Sequence, residues 1–205
     1  MSALLLNFRN TIIAGLVLAL IMIIGFGMHS PHKFDIVFWQ AVFRWIHVVF
    51  GILWIGLLYY FNFVQIRKMP DIPAELKPAI SKYIAPEALF WFRYAALFTV
   101  LAGLILAYLR GLLWEYLSFG FAGGFIPGQD TQYALMGVGL WLGIIMFLNV
   151  WGIIWPNQKI ALGIVEADAD AKAKAGRVAT LASRTNTLLS LPMLTAMAMY
   201  QTLFG

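Results

Sequence analysis

Residues 44–65, RWIHVVFGILWIGLLYYFNFVQ, decide the fold. The stretch is apolar enough to lie in a membrane, yet Arg44, His47, Asn62 and Gln65 sit within it. An ionisable group at the centre of a bilayer costs about 2.5–3.5 kcal/mol on insertion scales, so such groups face a protein interior with a partner or a task. At helical spacing His47, Gly51, Trp54, Leu58 and Gln65 fall on one stripe, with Arg44 on its flank. His47 is also the one histidine set deep in an apolar run.

Composition extends that reading to the whole chain. The 205 residues are 62% hydrophobic and 11% charged, against about 25% charged in soluble domains. An all-α integral membrane bundle follows, forming one transmembrane domain over 1–205. The absence of cysteine excludes disulfides, thiolate zinc sites, iron–sulfur clusters and covalent haem c. The net charge of +5 resides in loops between apolar runs, so nucleic acid is not an expected partner. Membrane lipid is.

Five spans are expected, at about 10–28, 37–65, 87–109, 132–155 and 185–204, each near the length that crosses a hydrocarbon core. The first has Arg9 ahead of its apolar core, as a signal peptide would. Its run is long and GFGMHS offers no A-x-A site, so a retained anchor is expected. Arg67, Lys68, Lys77 and Lys82 crowd one loop, and Lys159, Lys172, Lys174, Arg177 and Arg184 another. Lys33 and Arg110 are the basic residues of the opposite loops. That bias puts the N-terminus inside and the C-terminus outside. The proline-containing 67–85 segment is expected to be an irregular connection. Residues 166–183, with Asp168–Lys172 and Asp170–Lys174 at i,i+4, predict a short cytoplasmic helix.

Two constellations could carry chemistry. At the outer end, His47 is a candidate axial ligand for a b-type haem, with Gly51 one turn away leaving room for a flat ring. Arg44 and Trp54 complete this candidate cofactor set, with His47 as its metal ligand. A histidine that only steadies the bundle, or one that handles protons or substrate, fits the same pattern. No second intramembrane histidine is present for a bis-histidine site; Met136, Met197 or Met199 could lie at a similar depth, though methionines in membrane helices are usually packing residues. At the inner end, Asn62, Glu87, Arg93 and Asn157 form a candidate catalytic set. Gln65, Asn149, Gln158, Lys159, Arg184 and Asn186 form a candidate substrate set. Arginine and amides together offer the paired donors and acceptors that grip a planar anionic heterocycle. Capping and snorkelling account for the same residues without a ligand. No Walker A, GxGxxG, HExxH or GxSxG motif is present.

The phrases at 44–65, EALFWFRYAALFTVLAGL (87–104), NVWGIIWPNQK (149–159) and LASRTNTLLSLPML (181–194) resemble the membrane domain of the cytochrome-c-linked urate oxidase family. The resemblance implies a multi-pass protein of a bacterial cytoplasmic membrane that hydroxylates urate and passes electrons to a c-type cytochrome. The matching positions include Arg44, His47, Trp54, Asn62, Glu87, Arg93, Asn149, Asn157, Gln158, Lys159, Arg184, Thr185 and Asn186. Family members continue into further membrane helices and a CxxCH cytochrome domain. These 205 residues contain no such motif, so a separate electron acceptor is expected. The other reading is a non-catalytic accessory subunit of a larger membrane respiratory or oxygenase complex, alone or as an oligomer.

Overall fold

A computed structural model describes residues 2–128 and 130–204, and among them every regular element is helical. After a helical turn at Ser2–Leu5 come α1 (Phe8–His29) and α2 (Ile36–Asp71). Next are α3 (Lys77–Leu109), the short α4 (Leu113–Leu117), α5 (Thr131–Ala161) and α6 (Ala169–Leu203). Four of these, α1, α2, α3 and α5, are long and apolar enough to cross a membrane.

The fifth expected span differs. Residues 185–204 and the short helix expected at 166–183 are one continuous 35-residue helix, α6. Its start is set by Asp168, whose carboxylate accepts the Ala171 N–H at 2.7 Å, satisfying an otherwise free helix-end donor. Asn186, Ser190 and Gln201 dilute its apolar run, so it does not join the four.

The connection expected at 67–85 is also mostly helical. Pro70, Pro78 and Pro86 each fall in the first turn of a helical piece. There a missing N–H costs nothing, and the fixed φ suits the helix. Only residues 72–76 lie outside helices in that region. At the other end, Asp35 caps α2 by accepting the Val37 and Phe38 N–H groups at 2.8 and 3.1 Å. The Phe38 N–H, and then His32, hold its carboxyl below the usual aspartate range.

Helix α2 packs along α3, and α5 along α6, while α4 lies across α5. One core joins Trp54, Leu58, Phe92, Ala96, Met146 and Val150, and a second joins Ala107, Tyr116, Met136, Leu140 and Tyr200. Helix α1 stands apart. Gly27 is its one buried residue, and the Phe38 ring lies where a side chain on it would go.

Three of the long helices contain a widened π turn, at Ile80–Ile84 in α3 and, beside the candidate residues, at Tyr60–Gln65 in α2 and Val150–Ile154 in α5. Such turns let an extra residue into the helix and recur at functional sites. The α2 turn holds Asn62 and Gln65, and the α5 turn follows directly on Asn149.

Candidate cofactor cavity and polar network

The candidate residues separate into two ends of the bundle. At the His47 end a cavity of about 770 Å³ lies between α2, α3, α5 and α6, within the roughly 300–1,000 Å³ range of small-molecule and cofactor sites. Arg44, His47, Gly51 and Trp54 all line it. The structure thus brings the whole predicted cofactor set to one place.

His47 is held from α3. Its Nδ1 lies 2.8 Å from the Thr99 carbonyl oxygen, which can only accept, so Nδ1 carries the proton and Nε2 is left with its lone pair. Thr99 turns its own hydroxyl back on the Ala95 carbonyl at 2.7 Å. Gly103, one turn further along α3, gives the imidazole its space. A Cβ there would stand 2.8 Å from Nδ1 and 2.9 Å from Cε1. Gly103→Ala is therefore expected to push the ring off the Thr99 carbonyl. Overpacking of this kind costs about 1–3 kcal/mol, more than the helix-propensity gain of about 1 kcal/mol. Thermal unfolding in detergent, with mapping of diethyl pyrocarbonate modification at His47, checks this. Unchanged stability and unchanged His47 reactivity would contradict it.

The rest of the wall is open and mostly apolar. A Cβ on Gly56 or Gly143 would meet nothing within 4 Å, and one on Gly51 would make only ordinary contact with Thr99. Trp54 is 1% exposed, and its indole N–H has no acceptor. Met136, Met193 and Met197 supply thioethers from the facing helices. Among the described residues, no aspartate or glutamate lines the cavity.

Sequence reasoning passed over Arg110 and Tyr116, which also line this cavity. In the sequence Arg110 stands as a loop charge, and no spacing ties Tyr116 to His47. The Tyr116 hydroxyl lies 2.9 Å from that of Tyr200. Burial, and then that hydrogen bond, push its pKa well above the usual tyrosine range, so it is a neutral O–H at any physiological pH.

At the other end, three of the predicted amides meet around one turn of α6. Asn62 donates through Nδ2 to the Leu58 carbonyl at 2.9 Å and the Ser183 hydroxyl at 2.8 Å. Asn149 donates to the Ala182 carbonyl and to Asn186 Oδ1, at 2.9 and 2.7 Å. Asn186 in turn donates to the Met146 carbonyl at 3.0 Å. Because Leu58, Ala182 and Met146 offer carbonyls, these contacts assign the amide nitrogens. The remaining oxygens of Asn62 and Asn149, with Oε1 of Gln65, are buried without a partner.

The other predicted residues sit apart from those amides. Arg93 stacks its guanidinium 3.8 Å from the Trp155 ring centroid, and the Lys159 ammonium lies 5.7 Å from the same ring. Glu87 is exposed and accepts from the Trp91 indole at 2.8 Å. Asn157 donates to the Ile153 carbonyl, one turn back. Gln158 is half-buried beside it, while Arg184 and Thr185 are exposed. The expected single cluster is thus an amide network, a cation–aromatic stack and a set of surface charges.

Comparison with known proteins supplies one match. Residues 125–204 match the family model described as urate oxidase N-terminal. The WPNQK and SRTNTLLS phrases lie inside that segment, as do Asn149, Asn186, Met136, Met193 and Tyr200; His47 and Asn62 lie outside it. No curated protein and no solved structure matches the chain.

Proposed function

We propose, from the urate oxidase N-terminal match over residues 125–204, that this chain is the membrane part of a urate-oxidising redox system. The observation that carries the reading is the mostly apolar, acid-free cavity around His47, with Arg44 and Arg110 in its wall. It suits a flat, largely apolar ring that bears negative charge, and haem b is such a group. His47, oriented by the Thr99 carbonyl, would present Nε2 to iron. That arrangement, with the second nitrogen fixed by a backbone acceptor, is how proteins orient metal-bound imidazoles. The open faces of Gly51, Gly56 and Gly143 leave room for the macrocycle, and Met136, Met193 and Met197 face it from α5 and α6. Bound there, haem would supply one-electron chemistry.

The amide end would take the substrate. Urate is a small planar anion edged with ring N–H donors and carbonyl acceptors. The unpartnered oxygens of Asn62, Gln65 and Asn149 are acceptors for such N–H groups. Arg93 and Lys159, gathered on Trp155, would contribute positive charge. Hydroxylation with water as the oxygen source releases two electrons and two protons. A c-type cytochrome, or another membrane subunit, would accept the electrons one at a time. In this reading α6 makes a fifth crossing of a bacterial cytoplasmic membrane, with the N-terminus inside and the C-terminus outside.

A reduced-minus-oxidised absorption spectrum of the purified, haem-supplemented protein tests the cofactor part. Bands of a b-type haem are expected in the parent protein, and His47→Ala should lose them while eluting as a folded species. Their absence from the parent protein would remove the haem assignment. Urate-dependent reduction of an added c-type cytochrome tests the activity. Stoichiometric copurifying subunits with no urate turnover would select the accessory-subunit reading instead.

A further inference from the structure

The His47 cavity also carries a feature that iron ligation does not require. Arg44 from α2, Arg110 from the end of α3, Tyr116 from α4 and Gln201 from α6 all border it. Arg110 lies seven residues beyond Gly103, about 10 Å of helix rise from the level where His47 packs. Among the described residues neither Arg44 nor Arg110 forms an ion pair. The Arg110 guanidinium sits 5.8 Å from the Tyr200 ring centroid, beside the tyrosine pair.

The two tyrosines differ in their access to the cavity. Tyr200 is 1% exposed and does not line the cavity, while Tyr116, 3% exposed, does. One hydroxyl donates to the other across their 2.9 Å contact. Either can be the donor, and it is Tyr116 that reaches the cavity wall. Two guanidinium groups outside any ion pair and one phenol hydroxyl then border a largely apolar chamber, a set of groups that suits a carboxylate.

We infer that Arg110, Arg44 and Tyr116 form a carboxylate-binding mouth, so that the cavity selects an amphipathic planar ring carrying free carboxylates. This rests on the reading of the cavity as a ring-binding site and adds which end of the ring is held, and by what. The ring's apolar edge enters toward Trp54, and its acid groups stay at the mouth.

A metal-free ring separates this claim from the question of iron. Protoporphyrin IX and its dimethyl ester differ only in the two carboxylates, and neither needs His47. Their binding is followed by porphyrin fluorescence on titration into detergent-solubilised full chain. The free acid is expected to bind at least tenfold more tightly than the ester, as loss of one charge-assisted contact implies. Arg110→Gln should bring the two to within about threefold by weakening the acid alone, and Tyr116→Phe should narrow the gap partway. Lys174→Gln, on the exposed face near the start of α6, removes a positive charge away from the cavity; it should leave the ratio unchanged and serves as the control. Equal affinity of acid and ester for the parent protein, or an unchanged ratio in Arg110→Gln, would overturn the mouth. Either result leaves the haem assignment to the reduced-minus-oxidised spectrum. Binding of neither porphyrin would overturn both the mouth and the ring-binding reading.

Discussion

Asn186→Leu is expected to cost about 2–4 kcal/mol of stability, from two hydrogen bonds and the donor left behind. Asn186 is 0% exposed and ties α5 to α6 in both directions. Its oxygen accepts from Asn149, and its nitrogen donates to the Met146 carbonyl. Leucine is close in volume, so little of the loss would come from a cavity. The damage has a ceiling. Asn149 keeps the Ala182 carbonyl, and the Met146 carbonyl keeps the helical N–H of Val150. Interhelical hydrogen bonds in membranes average about 0.6 kcal/mol, with a maximum near 1.7, which is why the upper figure needs the unpaired buried donor as well. Thr185→Ala, one residue earlier, removes only a bond to the Leu181 carbonyl on an exposed face and should fall within about 0.5 kcal/mol. Denaturation in detergent micelles measures both. A loss below 0.5 kcal/mol for Asn186→Leu would show that the amide network does not bind α5 to α6.

The second large effect is expected at Gly137. A Cβ there would overlap the Tyr116 carbonyl oxygen and approach Phe119 Cδ1 at 3.0 Å. The obstacle is backbone, so no rotamer change relieves it. Helix α4 must tilt away, and with it goes the Tyr116 hydroxyl that meets Tyr200. Overpacking commonly costs about 1–3 kcal/mol, and a clash with backbone belongs at or above the top of that range. Gly143→Ala, on the same helix, gives the opposite sign. Its Cβ would meet nothing within 4 Å, so it should gain up to about 1 kcal/mol of helix propensity. Unfolding midpoints of the two variants moving in the same direction would reject this account of the α4–α5 contact.

Much of the fold was legible in the chain. Apolar runs near 20 residues, cut by Pro, Gly and charge, located α1, α2, α3 and α5 to within a few residues at the His47 end of the bundle. At the opposite end α2 and α3 run longer than expected because Pro70, Pro78 and Pro86 stand in first-turn positions, where they start helical pieces. Alternating charge and polar residues split 166–204 into two helices on paper. Asp168 caps a single helix instead, and Asn186 and Ser190 turn inward on it.

The candidate site was legible only within single helices. One stripe of α2 carries Arg44, His47, Gly51 and Trp54 to the same cavity, because 3.6-residue periodicity is a local property. Thr99, Gly103, Arg110 and Tyr116 belong to that cavity too, yet no spacing joins them to His47. Their neighbours are set by how α2 crosses α3 and how α4 folds over α5.

The sequence by itself determined the membrane-type composition, the position of each apolar helix and the stripe on which His47 lies. These follow from transfer free energy and helix periodicity, which act residue by residue along the chain. Only the tertiary structure decided that His47 is oriented by Thr99, and that two arginines stand without acids at the cavity. It also decided that Asn62, Asn149 and Asn186 lock onto one turn of α6 while Arg184 and Glu87 stay outside. Those outcomes depend on which faces meet, and packing between helices sets that.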